Sequence, residues 1–176
     1  TVSIRLGDGG GGFALPVVPE VTVASFPVSL AIGDFNADGK QDFATTNNSA
    51  GAFSISIRLG NGNGGFTSPA VPEVTVGSFP VSLAIGDFNG DGKQDFAVAH
   101  SGVNFVSIRL GDGDGGFISP LVSEVAVLTS PESIGVGDFN EDGKQDFVAA
   151  VYGSSDVSIR LGGCSPFAVT GNVTYG

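Results

Sequence analysis

Asp34-Phe35-Asn36-Ala37-Asp38-Gly39-Lys40-Gln41-Asp42 is the stretch on which the reading of this chain turns. It returns as Asp87-Phe88-Asn89-Gly90-Asp91-Gly92-Lys93-Gln94-Asp95 and as Asp138-Phe139-Asn140-Glu141-Asp142-Gly143-Lys144-Gln145-Asp146. Each copy reads D-x-N-x-D-G-x-x-D, with oxygen-bearing side chains at loop positions 1, 3, 5 and 9. Alternate residues of a tight loop point inward, a glycine at position 6 permits a sharp bend, and the carbonyl of position 7 adds a neutral oxygen. Three carboxylates within nine residues repel one another unless a counter-charge sits among them. Asp, Asn and Gly also build plain turns, but three copies at one spacing favour a hard cation. The expectation is three Ca²⁺ sites.

The loops are not EF-hands. An EF-hand closes on a bidentate Glu at position 12 and is flanked by helices. Position 12 here is Thr45, Val98 and Ala149, and the flanks Val28–Gly33 and Phe43–Thr46 have no long helical period. The ninth-position Asp is expected to close each site, with strands on either side.

Composition narrows the class. Of 176 residues, 41% are hydrophobic and 14% charged, which excludes a disordered tail. No apolar stretch approaches the ~18 residues that span a bilayer, and no signal peptide opens the chain. There is no methionine, even at the first position, which points to a processed or excised piece. The formal net charge is -11, and nine of the 18 acidic residues are the loop aspartates, so three divalent ions cancel much of the excess. Nucleic-acid binding wants a basic stripe. All seven basic residues instead sit at repeating positions: Lys40, Lys93 and Lys144 in the loops, and Arg5, Arg58, Arg109 and Arg160 in S-I-R-L-G.

The loops begin at residues 34, 87 and 138, and the S-I-R-L-G tracts at 3, 56, 107 and 158, so the period is 51 to 53 residues. Within one period four short strands are expected. Phe96–His100 follows a loop; Phe105–Leu110 alternates Val106, Ile108 and Leu110 against Ser107 and Arg109; a glycine-rich turn leads into Val122–Val127; and Ser133–Gly137 enters the next loop. Four strands per ~50 residues make one blade of a β-propeller. The fold class is therefore all-β, with about three units of four-stranded antiparallel sheet.

Ile32 to Phe43 with its loop, Val2-Ser3-Ile4-Arg5-Leu6-Gly7 and Gly64-Gly65-Phe66 together resemble FG-GAP, or VCBS-type, repeats, as found in integrin α-chain propellers and secreted bacterial proteins. The resemblance covers the chain to about Gly163. It implies a propeller, usually of seven blades, with Ca²⁺ in loops that join one blade to the next. The ligands it implies are Asp34, Asn36, Asp38, Lys40 through its carbonyl, and Asp42. In the second loop they are Asp87, Asn89, Asp91, Lys93 and Asp95, and in the third Asp138, Asn140, Asp142, Lys144 and Asp146. Residues 1–163 are read as the repeats, with units joined at 34–42, 87–95 and 138–146.

Two departures accompany the resemblance. The chain is too short for seven blades and starts and stops in mid-blade, so a longer parent chain or self-association is expected. Apolar end faces lined by Phe35, Val2, Ile159 and Val148 are expected to drive that association. The stretch 164–176 lacks the glycine-rich turn and is read as a tail or the start of a following domain, with a degenerate closing strand as the alternative.

Other candidate chemistry is thin. The turns Gly7–Gly12, Gly60–Gly65 and Gly111–Gly116 match G-x-G-x-x-G only superficially, because a strand rather than a helix follows. His100 and Cys164 are the sole residues of their types, and no third group or spacing makes them a nucleophile pair. The repeating arginines are expected to pair with neighbouring carboxylates. Phe35, Phe88 and Phe139, with Phe43, Phe96 and Phe147, are expected between blades. Asn47-Asn48-Ser49 and Asn172-Val173-Thr174 match glycosylation acceptors. The expected function is a secreted, calcium-stabilised binding or adhesion module for a glycan or protein partner, and not an enzyme. A self-assembling scaffold or an accessory domain of a larger secreted protein is the alternative. A lectin-like role is weakened by the absence of Trp and the presence of just two Tyr, since sugar sites favour such stacking faces.

Overall fold

A computed structural model describes residues 1–121, 123–153, 156–163 and, as backbone, 169–174. Its strands follow the alternation in the sequence, where branched and aromatic residues interleave with small polar ones. The first segment gives β1 (Val2–Ser3), β2 (Leu6–Gly7), β3 (Phe13–Ala14) and β4 (Glu20–Val21). A first complete sheet holds β5 (Pro27–Gly33), β6 (Asp42–Asn47), β7 (Ser54–Gly60), β8 (Phe66–Thr67) and β9 (Glu73–Thr75). The second holds β10 (Pro80–Gly86), β11 (Asp95–His100), β12 (Phe105–Gly111), β13 (Phe117–Ile118) and β14 (Glu124–Ala126). The third holds β15 (Pro131–Gly137), β16 (Asp146–Val151), β17 (Asp156–Arg160) and β18 (Val169–Thr174). No helix occurs among the described residues, so none is long and apolar enough to cross a membrane.

Each sheet is antiparallel and built in sequence order. In the first, β5, β6 and β7 pair in turn, and two short segments share the outer edge of β7. Leu59 pairs with Thr67 at the loop end, and Ile55 with Val74 at the other. β5, β10 and β15 lie side by side, which stacks the sheets face to face. Ala44, Ile55, Ile57 and Val74 of the first sheet meet Leu83, Phe96 and Val98 of the second. Ala97, Val106, Ile108 and Val125 of the second meet Ile134, Phe147 and Ala149 of the third. These are the blades of a β-propeller, and the core lies between blades.

Several expectations change. The sequence repeat is one strand out of phase with the sheets: the strand before each acidic loop belongs to the same blade as the strand after it. The loops 34–42, 87–95 and 138–146 are thus not the joints between units, because each connects the first and second strands of one sheet. The covalent joints are residues 76–79 and 127–130. The stretch read as a tail contributes β18, which pairs with β17 (Val157 opposite Val173) as the fourth strand of the third blade. β1 and β4 pair as the third and fourth strands of the other blades do.

Phe35 does not line an end face. It is 2% exposed and packs edge-to-face on Phe117 of the second blade at 5.6 Å. Phe88 packs likewise against the core between the second and third blades, whereas Phe139 is exposed. Val2, Val148 and Ile159 are half-buried, and an exposed apolar stripe runs through Val28, Leu30 and Ile32 on β5. Their counterpart Leu83 is buried by the first blade, and Ile134 by the second.

The arginines have a wider role than carboxylate pairing. Arg58 does bridge Glu73 at 3.0 Å, and Arg5 approaches Glu20 at 3.8 Å. But Arg58 Nε also donates to Thr22 O, Arg109 Nη2 to Thr75 O and Arg160 Nε to Ala126 O. Each guanidinium therefore reaches back to the outer strand of the preceding unit. The planar fork suits this, since one group can serve its own sheet and the neighbouring one together.

Asn47, His100 and Val151 occupy one register position, opposite Pro27, Pro80 and Pro131. Asn47 is fully buried and donates to Ser56 Oγ at 2.9 Å, so it is not presented as a glycosylation acceptor. His100 is also fully buried. Its Nδ1 lies 2.9 Å from the Ser78 carbonyl, which can only accept, so Nδ1 carries the proton and Nε2 accepts from the Ser107 hydroxyl at 2.8 Å. Its ring packs on Phe105. Cys164, the residue set beside it in the sequence, lies outside the described residues.

Burial lowers the His100 pKa to about 4. The folded state keeps the ring neutral while the unfolded chain protonates below ~6.5, so stability falls as pH drops from about 6.5 to about 4. The loss is on the order of 2–3 kcal/mol. Urea melts across that window should show a shallower acid loss in His100→Asn, the residue the first blade carries at this position. Parallel curves for the two proteins would contradict a neutral, buried imidazole.

Candidate metal-binding loops

Each acidic loop leaves the first strand of a blade and returns into the second, and all three lie at the same end of the propeller. Position 6 is glycine because the backbone there is left-handed, with φ of 79°, 81° and 82° at Gly39, Gly92 and Gly143. Position 4 is left-handed too. Gly90 adopts it freely, whereas Ala37 and Glu141 hold it at 56° and 60°.

Two layers of oxygen separate within the loop. The inner layer is the ninth-position aspartate. Asp42 is fully buried: Oδ2 accepts from Phe35 N at 2.8 Å, and Oδ1 from Gly60 N at 2.7 Å. Asp95 takes Phe88 N and Gly111 N, and Asp146 takes Phe139 N and Gly162 N. Gly60, Gly111 and Gly162 end the S-I-R-L-G tracts, so one carboxylate ties the two repeated motifs together. Burial pushes the Asp42 and Asp95 carboxyls above the usual range, with the first- and fifth-position carboxylates of the same loop adding to it.

The outer layer faces solvent. Asp34 Oδ1 and Asn36 Oδ1 both accept from Asp38 N, at 3.1 and 3.3 Å, and Asp34 Oδ2 accepts from Gly39 N. Asp38 Oδ1 accepts from Lys40 N at 2.9 Å. Asp87, Asn89 and Asp91 repeat the arrangement, as do Asp138, Asn140 and Asp142. Lys40 Nζ sits 2.8 Å from Asp38 Oδ2, and Lys144 Nζ 3.7 Å from Asp142 Oδ2. The Lys40 hydrogen bond holds the Asp38 carboxyl below its ordinary range, and the Lys93 amide does so for Asp91.

Among the described residues no three acidic, histidine or cysteine side chains meet in one cluster. What the loops bring together is two carboxylates and an amide oxygen around their own amides. All are hard oxygens, and a carboxylate oxygen that accepts one hydrogen bond keeps a further lone pair. In type this donor set fits Ca²⁺, with Asp34, Asn36 and Asp38 and their equivalents as the groups that would hold it. The ninth aspartate also carries the scaffold, a role its place in the metal-loop pattern did not reveal.

Neighbouring loops form clefts. One of about 190 Å³ lies between Asp34, Phe35 and Ala37 of the first loop and Lys93 and Gln94 of the second. Another of about 340 Å³ lies between Asp87, Phe88 and Asn89 and the Lys144–Gln145 segment. Across the first cleft Gln94 Oε1 accepts from Asp34 N at 2.8 Å, and Gly115 N donates to Phe35 O at 3.0 Å. The loops thus bridge adjacent blades in space, although not in sequence. Sequence reasoning passed over Gln94; the recurrence of Gln at position 8 of every loop was the available signal.

Asp95→Asn is expected to cost about 2–4 kcal/mol even in chelator, because an amide nitrogen cannot accept from Phe88 N or Gly111 N and leaves a buried group unpaired. Asp91→Asn, on the exposed loop, should change chelated stability by less than about 1 kcal/mol. Equal losses in denaturant melts would remove the distinction between inner and outer layers.

The family model described as FG-GAP-like repeat matches residues 34–98 and 87–149, and that described as FG-GAP repeat matches residues 130–173. No curated protein matches the chain. Repeats of this kind are typical of extracellular or secreted proteins, and are generally binding or structural modules without catalysis. With matched repeats from residue 34 to residue 173 laid onto three packed antiparallel blades, the chain belongs to the FG-GAP repeat family.

Proposed function

We propose that this chain is a calcium-stabilised propeller module of an extracellular protein, which presents the loop-bearing end of its blades to a glycan or protein partner and performs no catalysis itself. One observation carries the reading. Three equivalent loops, each with two carboxylates and an amide oxygen in its solvent-facing layer, sit where adjacent blades meet. A cation at each would offset the repulsion among carboxylates that the fold has already drawn together. It would also stiffen the rim of the interloop clefts, where Asp, Asn, Lys and Gln offer both donors and acceptors to a polar partner. Calcium rather than disulfides would then stabilise the module outside the cell. With no Trp and two Tyr in the sequence, a protein partner is favoured over a sugar.

A ligand that binds the native state alone raises stability by mass action, by about 2.7 kcal/mol at a hundredfold excess over its Kd. Thermal melts with millimolar Ca²⁺ and with chelator should therefore separate clearly, and superimposable curves would end the calcium reading. Calorimetry on Asp91→Ala should show one fewer ion per chain than the three of the unaltered protein. A glycan array in Ca²⁺ distinguishes sugar from protein recognition.

The exposed stripe Val28, Leu30 and Ile32 favours a second reading, in which units stack on one another as the repeats of a scaffold do. Light scattering over a concentration series should then show mass rising with concentration. Replacing Leu30 with Lys should reverse this; a monomer at every concentration would leave the binding-module reading alone.

A further inference from the structure

We infer that Gln94 couples the first and second acidic loops, so that a cation held by one strengthens the hold of the other. The inference rests on the calcium reading above. Loop ligands in a repeat protein can act independently, each blade carrying its own site. Here the side chain of one loop enters the backbone of the next. Gln94 Oε1 accepts the hydrogen bond of Asp34 N at 2.8 Å, and Asp34 is position 1 of the first loop. The space for this contact is built in: a Cβ on Gly33 would run into Gln94 Oε1.

Gln94 lies between two residues whose own bonds fix the second loop. On one side Lys93 N donates to Asp91 Oδ1 at 3.0 Å, within the solvent-facing oxygen layer. On the other, Asp95 is locked by Phe88 N and Gly111 N. A cation that orders Asp91 therefore orders the backbone from which the Gln94 side chain springs. At the far end the Asp34 carboxylate accepts from Asp38 N and Gly39 N, so setting the Asp34 backbone sets the first loop. Gly115 N on Phe35 O adds a second tie between the same blades and keeps the Gln94 reach short.

The third loop provides an internal control. Gln145 lines the corresponding cleft with Asp87. A Cβ on Gly86 would stand 3.4 Å from Gln145 Oε1, yet no hydrogen bond joins Gln145 to the Asp87 amide among the described residues. Coupling is thus assigned to the first and second loops and not to the second and third.

The experiment is a double-mutant cycle read at the first loop, with Ca²⁺ as the probe and the full chain as the sample. NMR of the Asp38 and Gly39 amides reports first-loop occupancy as Ca²⁺ is added. Asp91→Ala, which removes the second site, should weaken the first about three- to tenfold, the range for losing one net hydrogen bond's coupling. Asp142→Ala, which removes the third, should leave it unchanged. Gln94→Ala should weaken it by a similar factor, and adding Asp91→Ala to Gln94→Ala should cost nothing more. If Asp91→Ala costs the same with and without Gln94, coupling does not pass through this side chain, and the inference falls. Because Gln94→Ala could loosen the blade contact itself, the metal-free protein gives a second reading. The Asp34 amide should exchange faster with solvent in Gln94→Ala than in the unaltered chain, while Asp87 exchange stays the same; equal Asp34 exchange overturns the latch. An unaltered protein that takes up no Ca²⁺ defeats the calcium reading and the coupling with it, whereas Ca²⁺ uptake with an unaffected first loop defeats the coupling alone.

Discussion

The buried ninth-position aspartate is the contact on which each blade depends. Asp42, Asp95 and Asp146 each spend one oxygen on the amide of the phenylalanine at position 2 of their own acidic loop and the other on the glycine that closes the S-I-R-L-G tract. A fully buried carboxylate is costly unless hydrogen-bonded on both oxygens, and here both donors are backbone groups already fixed by the sheet. The terminal glycine has to be glycine for the same reason. A Cβ on Gly60, Gly111 or Gly162 would collide with the carbonyl of Gln41, Gln94 or Gln145, the residue just before the aspartate.

Once a blade is pinned in this way, its two faces become interchangeable parts. Forward-facing Ala44, Ile55 and Ile57 meet the Leu83 side of the next sheet, and Ala97, Val106 and Ile108 meet Ile134 in the same manner. The arginine of each third strand adds a polar tie to a carbonyl at the outer edge of the preceding unit, burying a guanidinium that also donates to the carbonyl of its own preceding residue. Burial lowers the pKa of Arg109 and Arg160, the cost of holding that charge between sheets. Quasi-one-dimensional arrays of this kind owe their stability to neighbour contacts, which is why the inner strand of the first blade, lacking a full neighbour, shows Val28, Leu30 and Ile32 to solvent.

The loop end of the propeller divides its labour along the same lines. The carboxylate that holds the fold is buried and hydrogen-bonded on both oxygens; oxygens in the solvent-facing layer bond to loop amides and, at Asp38, to the Lys40 ammonium. The calcium proposed for the outer layer would therefore come and go without dismantling the inner one. The phenylalanine at loop position 2 joins the two layers, its amide on the aspartate and its ring, for Phe35, against Phe117 of the next blade.

The sequence by itself determined the family, the all-β class and the number of units, because a motif repeated at a constant period leaves its mark whatever the chain does in space. It also marked each acidic loop and the strand alternation around it, since spacing and period are local properties. Tertiary structure decided what depends on which strand pairs with which. The repeat could be cut at any point along its period, so only sheet hydrogen bonding showed that each loop lies inside a blade and that residues 169–174 complete the third one. Partners distant in sequence were equally illegible. Gln94 lies 60 residues from the Asp34 amide and Arg58 lies 36 from the Thr22 carbonyl, and no local pattern specifies either contact. The burial of Phe35 and Asn47 was decided in the same way, because a side chain is covered by what packs against it and its own neighbours in sequence do not choose that surface.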